Sequence, residues 1–118
     1  MKKRILIAED ETRISNLLKI YLERESFFVE VVDNGDDGLD KALTDSFDLF
    51  ILDVLMPGKD GFMILEEIRK YKQTPIIMLS AKGEEKDLNR AYNLGASEYI
   101  LKPFSPREVV SKIKAILS

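Results

Sequence analysis

The sequence contains neither cysteine nor histidine among its 118 residues. Without cysteine the chain can form no disulfide and no thiolate metal site, and a reducing cytoplasm is its expected location. Without histidine it has no imidazole for a zinc site or a general base, and it cannot itself carry phosphohistidine. Any metal site in this chain must therefore be built from oxygen ligands.

Long hydrophobic runs are also missing. No apolar stretch approaches the roughly 20 residues that span a bilayer, and the N-terminus lacks the apolar core of a signal peptide, so we expect no membrane association. The net charge is −3 and the basic residues are dispersed, which makes this chain alone a poor ligand for a phosphate backbone. The length predicts one domain covering residues 1–118.

The most informative segment that is present covers residues 47–61. Residues 49–52 form an unbroken apolar run, which is typical of a strand buried on both faces. The run ends at Asp53, and turn residues and a helical pattern follow. Because open parallel sheets bind ligands beyond the carboxyl ends of their strands, Asp53 lies where a functional site is expected.

Strand and helix patterns alternate along the whole chain. Short apolar runs predict strands over residues 4–8, 27–32, 49–52, 76–79 and 98–101, and periodic apolar residues predict a helix after each one. A helix between consecutive strands makes neighbouring strands parallel, through right-handed crossovers. We therefore predict an α/β fold: one doubly wound, flavodoxin-like sheet of five parallel strands in the order 2-1-3-4-5, with five helices.

Local signals predict several details of the helices. Leu17 belongs to the apolar periodicity of the first helix and is expected on its buried face. Gly95 is expected to end the fourth helix as a C-cap. Ser105 and Glu108 have the spacing of a capping box at the start of the fifth helix.

Polar residues follow four of the predicted strands: Glu9 and Asp10 the first, Asp53 the third, Ser80 the fourth and Lys102 the fifth. In a parallel sheet these ends share one edge, so we expect the five side chains to converge. Two like charges about 4 Å apart repel by about 4 kcal/mol at an effective dielectric constant near 20. Such a cluster either keeps a proton or binds a cation, and oxygen ligands with open positions favour Mg²⁺, or Mn²⁺, over Ca²⁺.

A bound Mg²⁺ would attract an anionic phosphoryl group toward Asp53. The ammonium group of Lys102 can contact a second phosphoryl oxygen, and the hydroxyl of Ser80 can donate to a third. Asp53 would then be the nucleophile next to the metal. The residues therefore indicate transfer of a phosphoryl group onto Asp53.

The chain resembles the response-regulator receiver domains of two-component signalling over essentially its whole length. The resemblance rests on the acidic pair Glu9 and Asp10 and on the segments 51–61, 78–82, 94–96 and 99–104. It implies that Asp53 is the phosphoacceptor for a sensor histidine kinase. It also implies that Asp10, Asp53 and the backbone carbonyl of Leu55 bind Mg²⁺, with Glu9 acting through a water molecule.

The resemblance further implies a switch pair. Ser80 would move toward the phosphoryl group and Tyr99 would turn inward, and the Lys102–Pro103 bond would be cis. The segment 102–108 is most similar to transcription regulators of the OmpR/PhoB type, which dimerise through the fourth helix, fifth strand and fifth helix. DNA binding would then require an output domain that this chain does not contain.

Other functions of an α/β domain require residues that differ from those present here. A phosphatase of the aspartyl-nucleophile type resembles Asp-x-Asp at its nucleophile, but Leu55 occupies the second position here and has no proton to donate. A flavin-binding module needs donors in its first loop, where this chain has acids. A stand-alone receiver acting only through protein–protein contacts would not need an intact acceptor. We therefore expect a signalling phosphoacceptor rather than an enzyme.

Because Leu55 cannot orient a hydrolytic water, we expect a long-lived phosphorylated state.

Overall fold

The structure, a computed structural model, describes residues 2–118. Its strands are β1 (Arg4–Ala8), β2 (Phe28–Val32), β3 (Leu49–Asp53), β4 (Ile76–Ser80) and β5 (Glu98–Leu101). Its helices are α1 (Thr12–Arg24), α2 (Gly35–Thr44), α3 (Gly61–Arg69), α4 (Glu85–Asn93) and α5 (Pro106–Leu117). The predicted alternation of strands and helices is confirmed.

The strands form one parallel sheet in the order β2-β1-β3-β4-β5. The predicted topology is therefore confirmed, with β2 and β5 at the edges. Every residue of β3 and β4 is buried, because helices cover both faces of the central strands. Among the described residues 2–118, no helix combines the length and the apolarity needed to cross a bilayer.

Alternation along the strands divides the core into two clusters. In β1, Leu6 and Ala8 face the cluster that includes α3, whereas Ile5 and Ile7 face the cluster that includes α1 and α5. Successive side chains of a strand point to opposite faces, so neighbouring residues enter different cores. The sheet thus forms the middle layer of three and presents its carboxyl edge between them.

Helix ends confirm one local prediction and contradict another. Gly95 follows α4 with a φ of +104°, and the amide of Ala96 donates to the carbonyl of Ala91 at 2.9 Å, as the predicted C-cap requires. Ser105 is the N-cap residue of α5, but its side chain makes no capping hydrogen bond. The capping-box prediction is wrong because the amide of Glu108 donates to the backbone carbonyl of Ser105 at 3.0 Å and not to its hydroxyl.

Leu17 is also placed differently from the prediction. It is 41% exposed, whereas Ser15, Leu18 and Leu22 are the buried residues of α1. Helical residues advance by about 100° each, so a face centred on these three residues leaves Leu17 toward solvent. Apolar periodicity alone did not show which residue lies at the centre of the face.

Candidate functional site

The carboxyl edge of the sheet brings together the side chains that the sequence singled out. Asp53 ends β3 and Ser80 ends β4, while Glu9 and Asp10 follow β1 and Lys102 follows β5. Glu9, Asp53 and Ser80 are buried, and Asp10 is exposed. The site thus combines three buried polar side chains with one solvent-exposed carboxylate.

Asp53 is held by two donors, one to each carboxylate oxygen. Lys102 Nζ donates to Oδ2 at 3.1 Å, and the backbone amide of Leu55 donates to Oδ1 at 3.3 Å. Only 3% of Asp53 is exposed. The carboxylate is therefore fixed in orientation at the end of a rigid strand.

Lys102 is the cation that balances the buried acids. Its Nζ lies 2.8 Å from Glu9 Oε1 and 3.3 Å from Glu11 Oε1. Burial alone lowers the pKa of Lys102, but its hydrogen bonds to Glu9 and Asp53 outweigh burial, so the pKa lies above its ordinary value. Lys102 therefore stays charged. The bond between Lys102 and Pro103 is cis, as the family resemblance implied.

Glu9 has the most strongly perturbed carboxyl group of the site. Burial and then the neighbouring Asp53 raise the pKa of Glu9 to about 7, although Lys102 and the backbone amide of Glu11 act in the opposite direction. Its Oε1 atom is buried and forms an ion pair with Lys102 Nζ at 2.8 Å. A buried acidic oxygen that already faces one cation belongs to a site that stabilises positive charge.

The three acids have the spacing of a metal site. One carboxylate oxygen from each of Glu9, Asp10 and Asp53 lies within 4.8 Å of the others. An all-oxygen set with a solvent-facing member suits a hard divalent ion that keeps some of its water ligands. The donor set therefore fits Mg²⁺ or Mn²⁺.

Two hydroxyl groups lie at the neighbouring strand ends. Ser80 Oγ accepts a hydrogen bond from the backbone amide of Lys82 at 2.9 Å. Tyr99 is 7% exposed, and its hydroxyl donates to the carbonyl of Lys82 at 2.7 Å. Burial raises the pKa of Tyr99, and the Ser80 hydroxyl partly offsets this rise. Ser80 and Tyr99 thus both hydrogen-bond to the backbone of Lys82. The Tyr99 ring points inward.

The loop after β3 carries the other predicted site residue. The side chain of Leu55 is 53% exposed, so it lies at the mouth of the site rather than in the core. The structure also adds two groups that the sequence reasoning missed. Glu11, which contacts Lys102, was not among the predicted site residues, although it adjoins the acidic pair. The carbonyl of Lys82 could not have been found, because every residue carries one.

Comparison with known proteins agrees with this arrangement. The response regulator receiver domain family matches residues 5–114. Over 114 residues the chain is 49% identical to the transcriptional regulatory protein ResD of Bacillus subtilis (strain 168), and over 117 residues it is 48% identical to SrrA of Staphylococcus aureus (strain NCTC 8325 / PS 47). The matches cover 97% and 99% of this chain but 48% of each relative. The chain thus spans about half the length of these relatives.

A solved structure shows the same fold. The CheY-like response regulator receiver domain protein of Methanospirillum hungatei JF-1 superposes with a TM-score of 0.94 at 34% identity, and the alignment covers 99% of this chain and 94% of that one. Family match, close relatives and shared topology agree with one another and with the cluster of acids around Asp53. The chain accordingly belongs to the response-regulator receiver domains of two-component signalling.

Proposed function

We propose that Asp53 accepts a phosphoryl group from the phosphohistidine of a sensor kinase, in the cytoplasm. The observation that carries the proposal is the arrangement around Asp53: a nearly buried carboxylate with Lys102 at 3.1 Å on one oxygen and two further acids within 4.8 Å. A fixed carboxylate needs little reorganisation to attack. The adjacent cation can balance charge on an incoming phosphoryl group.

Asp10, Asp53 and the backbone carbonyl of Leu55 would hold Mg²⁺ or Mn²⁺, with Glu9 contributing through water. When bound, the ion neutralises phosphoryl charge and orients the phosphorus. Lys102 already contacts both Glu9 and Asp53, so it can move to a phosphoryl oxygen without leaving the site. Ser80 provides a hydroxyl donor at the adjacent strand end.

The transfer step exchanges one bond for another. A carboxylate oxygen of Asp53 forms a bond to phosphorus as the phosphorus–nitrogen bond of the phosphohistidine breaks. The electron pair of the broken bond stays on the imidazole nitrogen, which takes a proton from solvent. The product is an acyl phosphate on this chain and a free histidine on the kinase. Leu55 disfavours phosphatase activity, since an alkyl group at its position cannot act as an acid.

Phosphorylation would then shift the region around α4. Ser80 would move toward the phosphoryl group. Tyr99, which was expected to turn inward at this step, is already buried with its hydroxyl donating to the carbonyl of Lys82, so its ring would adjust from that position into the space that Ser80 leaves. A second copy of the chain would bind the face formed by α4, β5 and α5, where Leu101 is 44% exposed. Since both relatives are transcriptional regulatory proteins, the output would be transcription, with DNA bound by a separate output domain and not by this domain.

Phosphoryl labelling tests the acceptor. The wild type should gain one phosphoryl group from acetyl phosphate with Mg²⁺, measured by intact mass, and Asp53→Asn should gain none. Asp40→Asn, a change at an exposed acid of α2, is the matched control and should be labelled like the wild type. Undiminished labelling of Asp53→Asn would refute the assignment.

Size-exclusion chromatography with beryllofluoride and Mg²⁺ tests the dimer, and an unchanged elution volume would refute it.

A further inference from the structure

The loop between β3 and α3 is pressed against the first residue of α2. The backbone amide of Gly35 donates to the carbonyl of Pro57 at 2.9 Å. A Cβ atom on Gly35 would lie 1.9 Å from the carbonyl oxygen of Lys59 and 2.7 Å from its carbonyl carbon. Only glycine therefore fits at this point of α2 while the loop keeps its present position.

A second glycine, Gly58, lies on the loop side of this contact. Gly58 has a φ of +83°, a conformation that favours glycine. A Cβ atom on Gly58 would lie 2.6 Å from Asp36 Oδ2. The facing end of α2 is itself fixed, because Asn34 Oδ1 accepts from the amide of Asp37 at 2.8 Å. The loop therefore contacts α2 at two neighbouring points, the backbone of Gly35 and the side chain of Asp36.

The far end of the loop is attached to its own strand. The amide of Gly61 donates to the carbonyl of Val54 at 2.9 Å, and a Cβ atom on Gly61 would lie 2.5 Å from the carbonyl oxygen of Asp53. Leu55 lies between the two attachments, and its amide contacts the Asp53 carboxylate. The position of Leu55 relative to Asp53 is therefore set by both attachments together.

We propose that Gly35 is a positioning residue for the divalent metal site. It contributes no ligand. Because it has no side chain, α2 can contact the loop closely, and this contact keeps the loop where the Leu55 carbonyl lies beside Asp53 and Asp10. The inference rests on the proposed function, because the role of the Leu55 carbonyl belongs to that proposal. It adds a cross-element support from α2, whose first residue contacts the loop and not Asp53.

Gly35→Ala should displace the loop. Lys59 would have to retreat by about 1.5 Å to reach an ordinary contact distance of 3.4 Å from the new Cβ. Altering a residue that supports metal ligands typically weakens metal affinity by about 10- to 100-fold. We expect the Mg²⁺ dissociation constant of Gly35→Ala to rise by about 10-fold or more.

Gly38→Ala is the matched control. It makes the same change on the same helix, but its Cβ would face the side chain of Ala8 at 3.1 Å and not the loop. Calorimetric Mg²⁺ titration of the wild type, Gly35→Ala, Gly38→Ala and Asp10→Ala measures the affinities. Amide hydrogen exchange without metal measures the loop directly, and residues 54–60 should exchange faster in Gly35→Ala than in Gly38→Ala.

The outcomes separate this inference from the proposed function. Weaker Mg²⁺ binding together with faster loop exchange in Gly35→Ala alone supports the positioning role. If the wild type binds Mg²⁺, Asp10→Ala does not, and Gly35→Ala matches Gly38→Ala, the inference is overturned while the metal site stands. If the wild type binds no Mg²⁺, both are overturned. Should Gly35→Ala fail to fold, Gly58→Ala, whose Cβ would meet Asp36 Oδ2 of α2 at 2.6 Å, displaces the same loop from α2 and must show the same loss.

Discussion

The charge balance of the site depends on single side chains more than on any element. Lys102 contacts Glu9, Glu11 and Asp53, so one ammonium offsets carboxylates from two different strand ends. Glu9 reaches this ammonium because it is one methylene longer than aspartate. The same reach buries its carboxyl group, which is why the pKa of Glu9 is raised to about 7. The site thus holds one cation among several carboxyl groups, of which that of Glu9 has a raised pKa.

Tyr99 should show a pH dependence of its own. Burial raises the pKa of Tyr99 above its ordinary value of about 10. The folded state thus favours the neutral phenol, and this stabilisation is complete below pH of about 10 and is lost as the pH rises through the folded pKa. In an absorbance titration of the phenolate band, Tyr99→Phe should lose the component at highest pH. Tyr71→Phe, a change at a 72% exposed ring, should keep it, and loss of that component in both variants would contradict the prediction.

Leu55 should govern the lifetime of the acyl phosphate. Its side chain is 53% exposed at the mouth of the site and offers no hydrogen bond to a hydrolytic water. Leu55→Asn or Leu55→Glu should shorten the lifetime of the phosphorylated state by about 10-fold, less than the roughly 100-fold of a well-positioned acid–base group, because the introduced side chain is not held in place by neighbours. Loss of the phosphoryl mass after removal of acetyl phosphate gives the rate. Leu17→Asn is the exposed control on α1, and a wild-type half-life of seconds would refute the expectation of a long-lived state.

Among the secondary-structure elements, α3 is joined to its neighbours by one side chain. Arg69 at its last turn donates to the carbonyl of Gly95 at 2.9 and 3.0 Å, to Thr74 at 2.7 Å and to Lys72 at 3.2 Å. These carbonyls belong to the turn before β4 and to the turn after α4. A single guanidinium therefore connects α3 to both segments through backbone groups.

Removing that guanidinium should destabilise the domain. Arg69→Ala leaves three partly buried carbonyls without their charged donor, and we expect a loss of about 2–3 kcal/mol in the free energy of unfolding. Arg69→Lys should restore only part of it, because an ammonium lacks the planar fork that spans two carbonyls. Urea denaturation measures the loss, with Arg13→Ala on the exposed face of α1 as control. Full restoration by lysine would show that charge alone matters.

α4 packs less deeply than α3. Its buried residues are Asp87 and Ala91, whereas α3 buries five residues, among them Phe62, Ile64 and Leu65. Fewer buried apolar groups lower the free energy needed to open a segment locally. We therefore expect α4 to open locally more readily than α3.

In the molecule as a whole, the sheet separates two cores. Ile64 of α3 belongs to one cluster and Ile113 of α5 to the other, and both are fully buried. The strands between them carry alternating side chains, so the two clusters share no side chain. The two sides should therefore contribute to stability independently.

Two conservative substitutions test this independence. Ile64→Val and Ile113→Val should each cost about 1 kcal/mol of unfolding free energy, the usual loss for one buried methylene. In the double variant the losses should add to within about 0.5 kcal/mol, as for distant sites. Urea denaturation measures all three variants, with an unchanged denaturant slope as the sign that folding is still two-state. A larger deviation from additivity would mean that the two cores are coupled through the sheet, which would contradict the prediction.

Much of the architecture follows from local rules acting on the sequence. Strand and helix periodicity, the apolar run before Asp53 and the alternation of elements suffice for a parallel sheet in the observed order, because each depends on near neighbours in the chain. The convergence of Glu9, Asp10, Asp53 and Lys102 follows in turn from parallel topology. Composition alone limits the metal ligands to oxygen.

Other features were decided only when the elements packed. The orientation of α1, which exposes Leu17, depends on which of several apolar residues best fills the core beside β1 and β2. The contact of Gly35 with Lys59 joins two backbones, and neither residue type signals it. The raised pKa of Glu9 requires burial next to Asp53, a distance that no sequence spacing contains. Local preferences are properties of short segments, whereas contact, burial and electrostatic coupling between distant segments arise only in the assembled three-dimensional structure.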